Sequence, residues 1–229
     1  MKNHGERLTM ATVLIPVLIS LKIAFVATFF SLVIGTSLAY LLHKKNDKLG
    51  TIFETIILLP LVMPPTITGY LLLLLLSNKG ILYTMLGGNN LIFTWWAGVI
   101  ASTIVSIPLM YQNSKSGFQS LNPVYKDIGK TLGLGKFKII FSIELPLILP
   151  SLLSGLVLSF ARALGEFGAT LMVAGSIPGK TRTIASAIYF AVESGDRQTA
   201  NNLMLIMVII SFLLMFSLNL WLKRKRNYN

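Results

Sequence analysis

Arg162 and Glu166 are the residues whose types and spacing most clearly could do chemistry. They lie inside the apolar run SFARALGEFGATLMVAG, from Ser159 to Gly175. Four positions apart, they share one face of a helix. A charge at membrane depth costs at least about 2.5 kcal/mol by insertion scales, so such residues face a protein interior or a water-filled path. Two readings are open. The pair is either a salt bridge that pins helices, or a device in which Arg162 offers positive potential to an anion in transit while Glu166 holds it in place. Gly165 and Gly168 permit close helix approach, and Thr170 adds a hydroxyl. Arg162, Gly165, Glu166, Gly168 and Thr170 therefore form one candidate translocation path or gate.

Other chemistry is thin. The chain has no cysteine and only two histidines, His4 and His43, so no metal site is expected. The intramembrane serines and threonines have no histidine base, and no catalytic residue is assigned. The nucleotide cradle G-x4-G-K-[ST] is absent, because Gly175 to Thr181 is one residue too short. The chain therefore cannot cradle a nucleotide by that motif.

A second cluster is the polar stretch Asp127 to Pro146, DIGKTLGLGKFKIIFSIELP. Asn122-Pro123 reads as a helix start, with proline at the first helical position. The helix should reach about Leu132 and break at Gly133 and Gly135. A second short helix, Lys136 to Glu144, should end at Leu145-Pro146, since the residue before proline is pushed out of helical geometry. Phe137, Ile139, Ile140, Phe141 and Ile143 are too apolar for a merely solvated loop and call for a partner surface.

The elements that must position these residues are membrane helices. In 229 residues, 54% are hydrophobic and 12% charged, with a mean hydropathy of +0.72, outside the usual range of soluble domains. Five runs could cross a hydrocarbon core of about 30 Å, which needs roughly 20 helical residues. They are placed at about 12–42, 52–76, 93–112, 147–173 and 202–222, with a loop at about 113–146 carrying the helical hairpin. The fold class is thus an all-α integral membrane protein of one domain, 1–229, with five spans, or six if a poorly hydrophobic helix is added. The first run, with Lys22 as its only charge, is too long for a secretory signal and reads as a retained span. Prolines punctuate the spans, and Pro64-Pro65, followed by Thr66 and Thr68, is the strongest candidate for more than a packing kink. Trp95, Trp96 and Trp221 fit interfacial anchors.

The net charge of +12 belongs to loops. One side of an alternating path carries Lys44, Lys45, Lys48, Lys115, Lys126, Lys130, Lys136, Lys138 and the tail Lys223 to Arg226. The other carries only Lys2, Arg7, Lys79, Lys180, Arg182 and Arg197. The first side is predicted to be cytoplasmic, leaving the N-terminus outside and the C-terminus inside. The basic tail is read as a lipid-headgroup anchor, not a nucleic-acid site.

The spacing Asp127-Ile128-Gly129, three residues, Gly133, nine residues, Ile143-x-Leu145-Pro146 resembles the EAA loop of ABC importer permeases. Asp127 stands for its glutamate, and Ile128 and Gly129 for its two alanines. LPLVMPPTITGYLLLL (Leu59 to Leu74) and ARALGEFGATLMVAGSIPGKTRTIASAIY (Ala161 to Tyr189) extend the resemblance over nearly the whole chain to molybdate ABC importer permeases, within the molybdate and sulfate group. The resemblance implies a type I importer permease fold in the cytoplasmic (inner) membrane. It also implies a second copy of the chain, two cytoplasmic ATPase subunits gripping the loops, and an external binding protein that delivers the oxyanion. Asp127, Ile128, Gly129, Gly133, Ile143, Leu145 and Pro146 would then couple to the ATPase. The cargo would be molybdate, with tungstate as co-substrate; sulfate or another oxyanion is the alternative. Outside this class, a passive anion channel leaves the hairpin unexplained, and a membrane-embedded enzyme lacks convergent titratable groups.

Overall fold

The computed structural model describes residues 2–45, 47–77, 80 and 90–226, and every regular element among them is helical. In order these are α1 (Lys2–Leu42), α2 (Lys48–Val62), α3 (Pro65–Leu76), α4 (Trp95–Gln119), α5 (Pro123–Thr131), α6 (Lys136–Leu147), α7 (Leu149–Leu164), α8 (Gly168–Ala174), α9 (Ile184–Glu193) and α10 (Arg197–Arg226). Lys79 and most of the loop expected between Ser77 and Ile92 lie outside the described residues.

Among the described residues, two helices are long and apolar enough to cross a bilayer as single rods, Thr12–Leu42 and Arg197–Trp221. Two bent pairs, α2 with α3 and α6 with α7, raise the count to four. The 25 residues of α4 rise about 37 Å, but its apolar character is diluted by serines, threonines and small residues. That dilution suits its place, because α4 is the central post. Ser31 and Ser106 hydroxyls meet at 2.6 Å, Thr36 and Ser114 at 3.2 Å, and Ser159 donates to the Ser106 carbonyl at 3.2 Å, so α1, α4 and α7 are cross-linked by hydroxyls. Small residues let the backbones close up: a Cβ on Gly35 or Gly155 would stand 2.9 Å from Met110 or Asn113 of α4. Leu14, Phe25, Phe29 and Val33 of α1, with Leu205, Ile209, Phe212 and Phe216 of α10, stay exposed, as a lipid-facing surface requires.

Three expectations are corrected. The second run is not one helix. Met63 and Pro64 each precede a proline and are extended (ψ 139° and 134°), so α2 ends and α3 restarts with Pro65 in its first turn, bent by 114°. The fourth run is not continuous over 147–173 either, because it breaks at Gly165 to Phe167 between α7 and α8. The second arm of the hairpin does not stop at Leu145-Pro146. Leu145 remains helical (φ −62°, ψ −44°), and its N–H bonds the Ile140 carbonyl five residues back. This π turn over Ile140–Glu144 widens the helix where the Pro146 ring would otherwise press on the preceding turn. The turn into α7, 73°, comes at Ile148. The expected loop after the fourth span also holds the ten-residue α9, rising only about 15 Å.

Candidate functional site

The break between α7 and α8 is built by its own residues. Gly165 ends α7, and Glu166, 2% exposed, turns inward at the start of the next half-helix. One carboxylate oxygen accepts the Ala169 amide at 2.9 Å, satisfying a free N–H in the first turn of α8. The other accepts from the Arg162 guanidinium at 2.5 Å. Arg162 is thereby aimed by Glu166, while its side chain stays 28% exposed. Its remaining N–H donors are uncommitted among the described residues. Of the two readings of the sequence, the salt bridge is present, and it engages only part of the guanidinium.

The two broken segments meet at their breaks. A Cβ on Gly168 would stand 2.9 Å from Cβ of Pro65, and one on Gly69 would stand 2.8 Å from Cα of Ala169. The first turns of α3 and α8 therefore touch, bringing the positive ends of two helix dipoles together; in α3 the Pro64 carbonyl takes the Ile67 and Thr68 N–H groups, and Pro65 has none. The hydroxyls of Thr68 and Thr170 are buried here with no hydrogen-bond partner among the described residues. Gly165 has only ordinary contacts around it and serves the turn. Arg162, Gly165, Glu166, Gly168 and Thr170 are thus gathered around one helix break, joined by Pro65, Thr68 and Gly69 of α3. Pro65 and Thr68 were singled out in the sequence with the Pro64-Pro65 pair, whereas Gly69 was not.

The hairpin of α5 and α6 forms the second site. Asn122 caps α5 through Val124. At its other end Leu134 N–H bonds Gly129 O and Gly133 N–H bonds Lys130 O, a Schellman closure that places Gly133 at φ +73°. A Cβ at Gly133 would meet nothing within 4 Å, so backbone conformation, not space, calls for glycine there. Gly129 is buried instead against Ile139 and Ile143, joining the two arms. Asp127 is exposed and paired with Lys130 at 2.9 Å; that hydrogen bond holds its carboxyl below the usual range and keeps it negative at neutral pH. Ile128, Leu132, Phe137 and Phe141 are all exposed, the last three strongly (71%, 79% and 67%). Leu145 and Pro146 continue α6 toward the 73° turn. Hydrophobicity alone did not signal the strut between the arms, Lys126 to the buried Glu144 at 3.9 Å.

Residues 31–225 match the family model described as the binding-protein-dependent transport system inner membrane component. A putative molybdenum transport system permease protein, YvgM, of Bacillus subtilis (strain 168) is 41% identical over 204 residues, covering 88% of this chain and 90% of its own. The molybdenum transport system permease protein ModB of Escherichia coli (strain K12) is 36% identical over 212 residues, covering 91% and 92%. Among solved structures, a chain of the MetNI methionine ABC transporter in inward-facing conformations aligns with a TM-score of 0.73 at 17% identity, over 94% of this chain and 96% of that one. A chain of a bacterial ABC transporter that imports alginate aligns at 0.71 and 17%, over 93% and 79%. The fold is that of ABC importer permeases.

Proposed function

The chain belongs to the family of binding-protein-dependent transport system inner membrane components, and we propose that it is the membrane-spanning permease of an ATP-driven molybdate importer. The identity of 41% across nine-tenths of a relative named for molybdenum transport carries the cargo assignment. The exposed apolar hairpin supports the coupling role, since Phe137 and Phe141 need a covering surface outside this chain. Two cytoplasmic ATPase subunits supply that surface and hold the ATP and Mg. A second copy of the chain completes the path, and an external binding protein delivers the anion. Asp127, Ile128, Gly129, Gly133, Ile143, Leu145 and Pro146 pass ATPase motion to α7 through the turn at Ile148.

Arg162 is the pathway cation. Oriented by Glu166 beside the first turns of α3 and α8, it offers an oxyanion positive charge in a low-dielectric setting while the local sum with Glu166 stays neutral. The chain forms no covalent bond to its cargo. Alternating access moves the break between the two faces, with the N-terminus outside and the hairpin and C-terminus in the cytoplasm. Tungstate, of the same charge and shape as molybdate, shares the path.

Competition tests the cargo. Vesicles containing the assembled importer should take up labelled molybdate, and excess tungstate should block uptake while equal sulfate leaves most of it. Block by sulfate at the same concentration would move the chain to the sulfate branch.

A further inference from the structure

Lys22 and Lys180 face one outer cavity of about 510 Å³, and we propose that they form an entry subsite for the transported tetrahedral oxyanion, distinct from Arg162. This rests on the importer reading given above. Lys22 is the only charged residue from Thr12 to Leu42, and it stands 20 residues before Leu42, about 30 Å along α1. That places it at the outer edge of the hydrocarbon. Its ammonium lies 4.0 Å over the Trp95 ring, so its position is set by a cation–π contact at the first residue of α4. Neither lysine has an ion-pair partner among the described residues.

The other wall is a tightly wound loop. The Ile177 carbonyl accepts the N–H groups of Lys180, Thr181 and Arg182, and the buried Thr181 hydroxyl accepts from Ile177 N–H at 3.0 Å. Gly179, at φ +75°, makes the turn that presents Lys180. Ser20 accepts the Ile184 amide at 2.7 Å in a buried bond, so the loop's far end is clasped to α1 two residues from Lys22. The Lys22 ammonium and the backbone that carries Lys180 are thus held on a fixed frame, and Thr94 and Thr181 line the same cavity. No acidic side chain lines this cavity among the described residues. The neighbouring outer cavity, about 660 Å³, carries Glu193 and Asp196 beside Arg182. The charge separation directs an anion to the first cavity and away from the second, and two lysines on a concave wall raise its local concentration.

Uptake of labelled molybdate tests this, using the full importer in phosphatidylcholine liposomes with binding protein at a fixed concentration below saturation. Uptake by the unaltered importer checks the reading beneath the inference; its absence removes both. The Lys22→Gln/Lys180→Gln pair then tests the subsite alone. Uptake by the pair should fall about tenfold at low salt and lose most of its dependence on NaCl, the signature of steering. Arginine at both positions should restore it. Unchanged uptake overturns the subsite. A defect seen only when anionic lipid is present assigns the lysines to headgroup phosphates and overturns it. A defect that vanishes on adding more binding protein assigns them to an acidic docking partner and does the same. Should the pair fail to assemble, Lys180→Gln alone, an exposed loop side chain, is held to these criteria.

Discussion

At the scale of single residues, the Arg162–Glu166 pair separates stability from transport. Removing Arg162 leaves a buried carboxylate without its charge partner. For a fully buried pair that costs about 3–5 kcal/mol, and less here because Arg162 is partly exposed. Arg162→Met should therefore lower both the melting temperature of the solubilised complex and molybdate uptake. Arg162→Met with Glu166→Met should recover much of the melting temperature, since no buried charge is stranded, yet still fail to transport. Recovery of both would reduce the pair to a helix pin. The pair was legible in the sequence because a charge is conspicuous in an apolar run. Its bond to the Ala169 amide was not, because that bond exists only once the helix breaks. Lys22 was equally conspicuous, but its meaning depends on Trp95 and Lys180, which approach it only in three dimensions.

Among elements, the proposed mechanism rests on the two breaks and the hairpin. Gly133 sits in left-handed backbone in open space, so Gly133→Val should strain the hairpin by about 1–2 kcal/mol. ATPase activity should persist in the assembled complex while uptake falls, and Gly133→Asn should be the milder change because asparagine tolerates this conformation. Measuring hydrolysis and uptake on one preparation checks this; unchanged uptake with valine would sink the coupling role. Gly168→Leu should instead wedge α8 from α3, since its first carbon alone would stand 2.9 Å from Pro65. Loss of assembled complex is expected, read by yield after size exclusion.

The helix runs were readable because about 20 apolar residues must span as helix. The hairpin was readable because Asn-Pro and glycine punctuate it. The breaks were harder. Pro64-Pro65 flagged the first, but hydropathy runs straight through it. The second lacks proline and is held by Glu166 and by Gly168 against Pro65, contacts between segments distant in sequence. The helical geometry of Leu145 before Pro146 was missed because a π turn can absorb the ring.

For the whole molecule, orientation and cargo are the two claims. The chain has no cysteine, so single cysteines introduced at Lys130 and Asp196 report sidedness without background. Lys130→Cys should react with a membrane-impermeant maleimide only after the membrane is opened, and Asp196→Cys should react in intact cells. The reverse pattern would invert the topology. The central claim is ATP-driven molybdate import, and it is tested most directly by accumulation of labelled molybdate in proteoliposomes holding this chain, its ATPase and the loaded binding protein. The account expects accumulation above the external concentration when ATP and Mg are present on the ATPase side, and none with a non-hydrolysable analogue. Equal uptake with and without ATP, stopping at the external concentration, would contradict it and describe a passive channel.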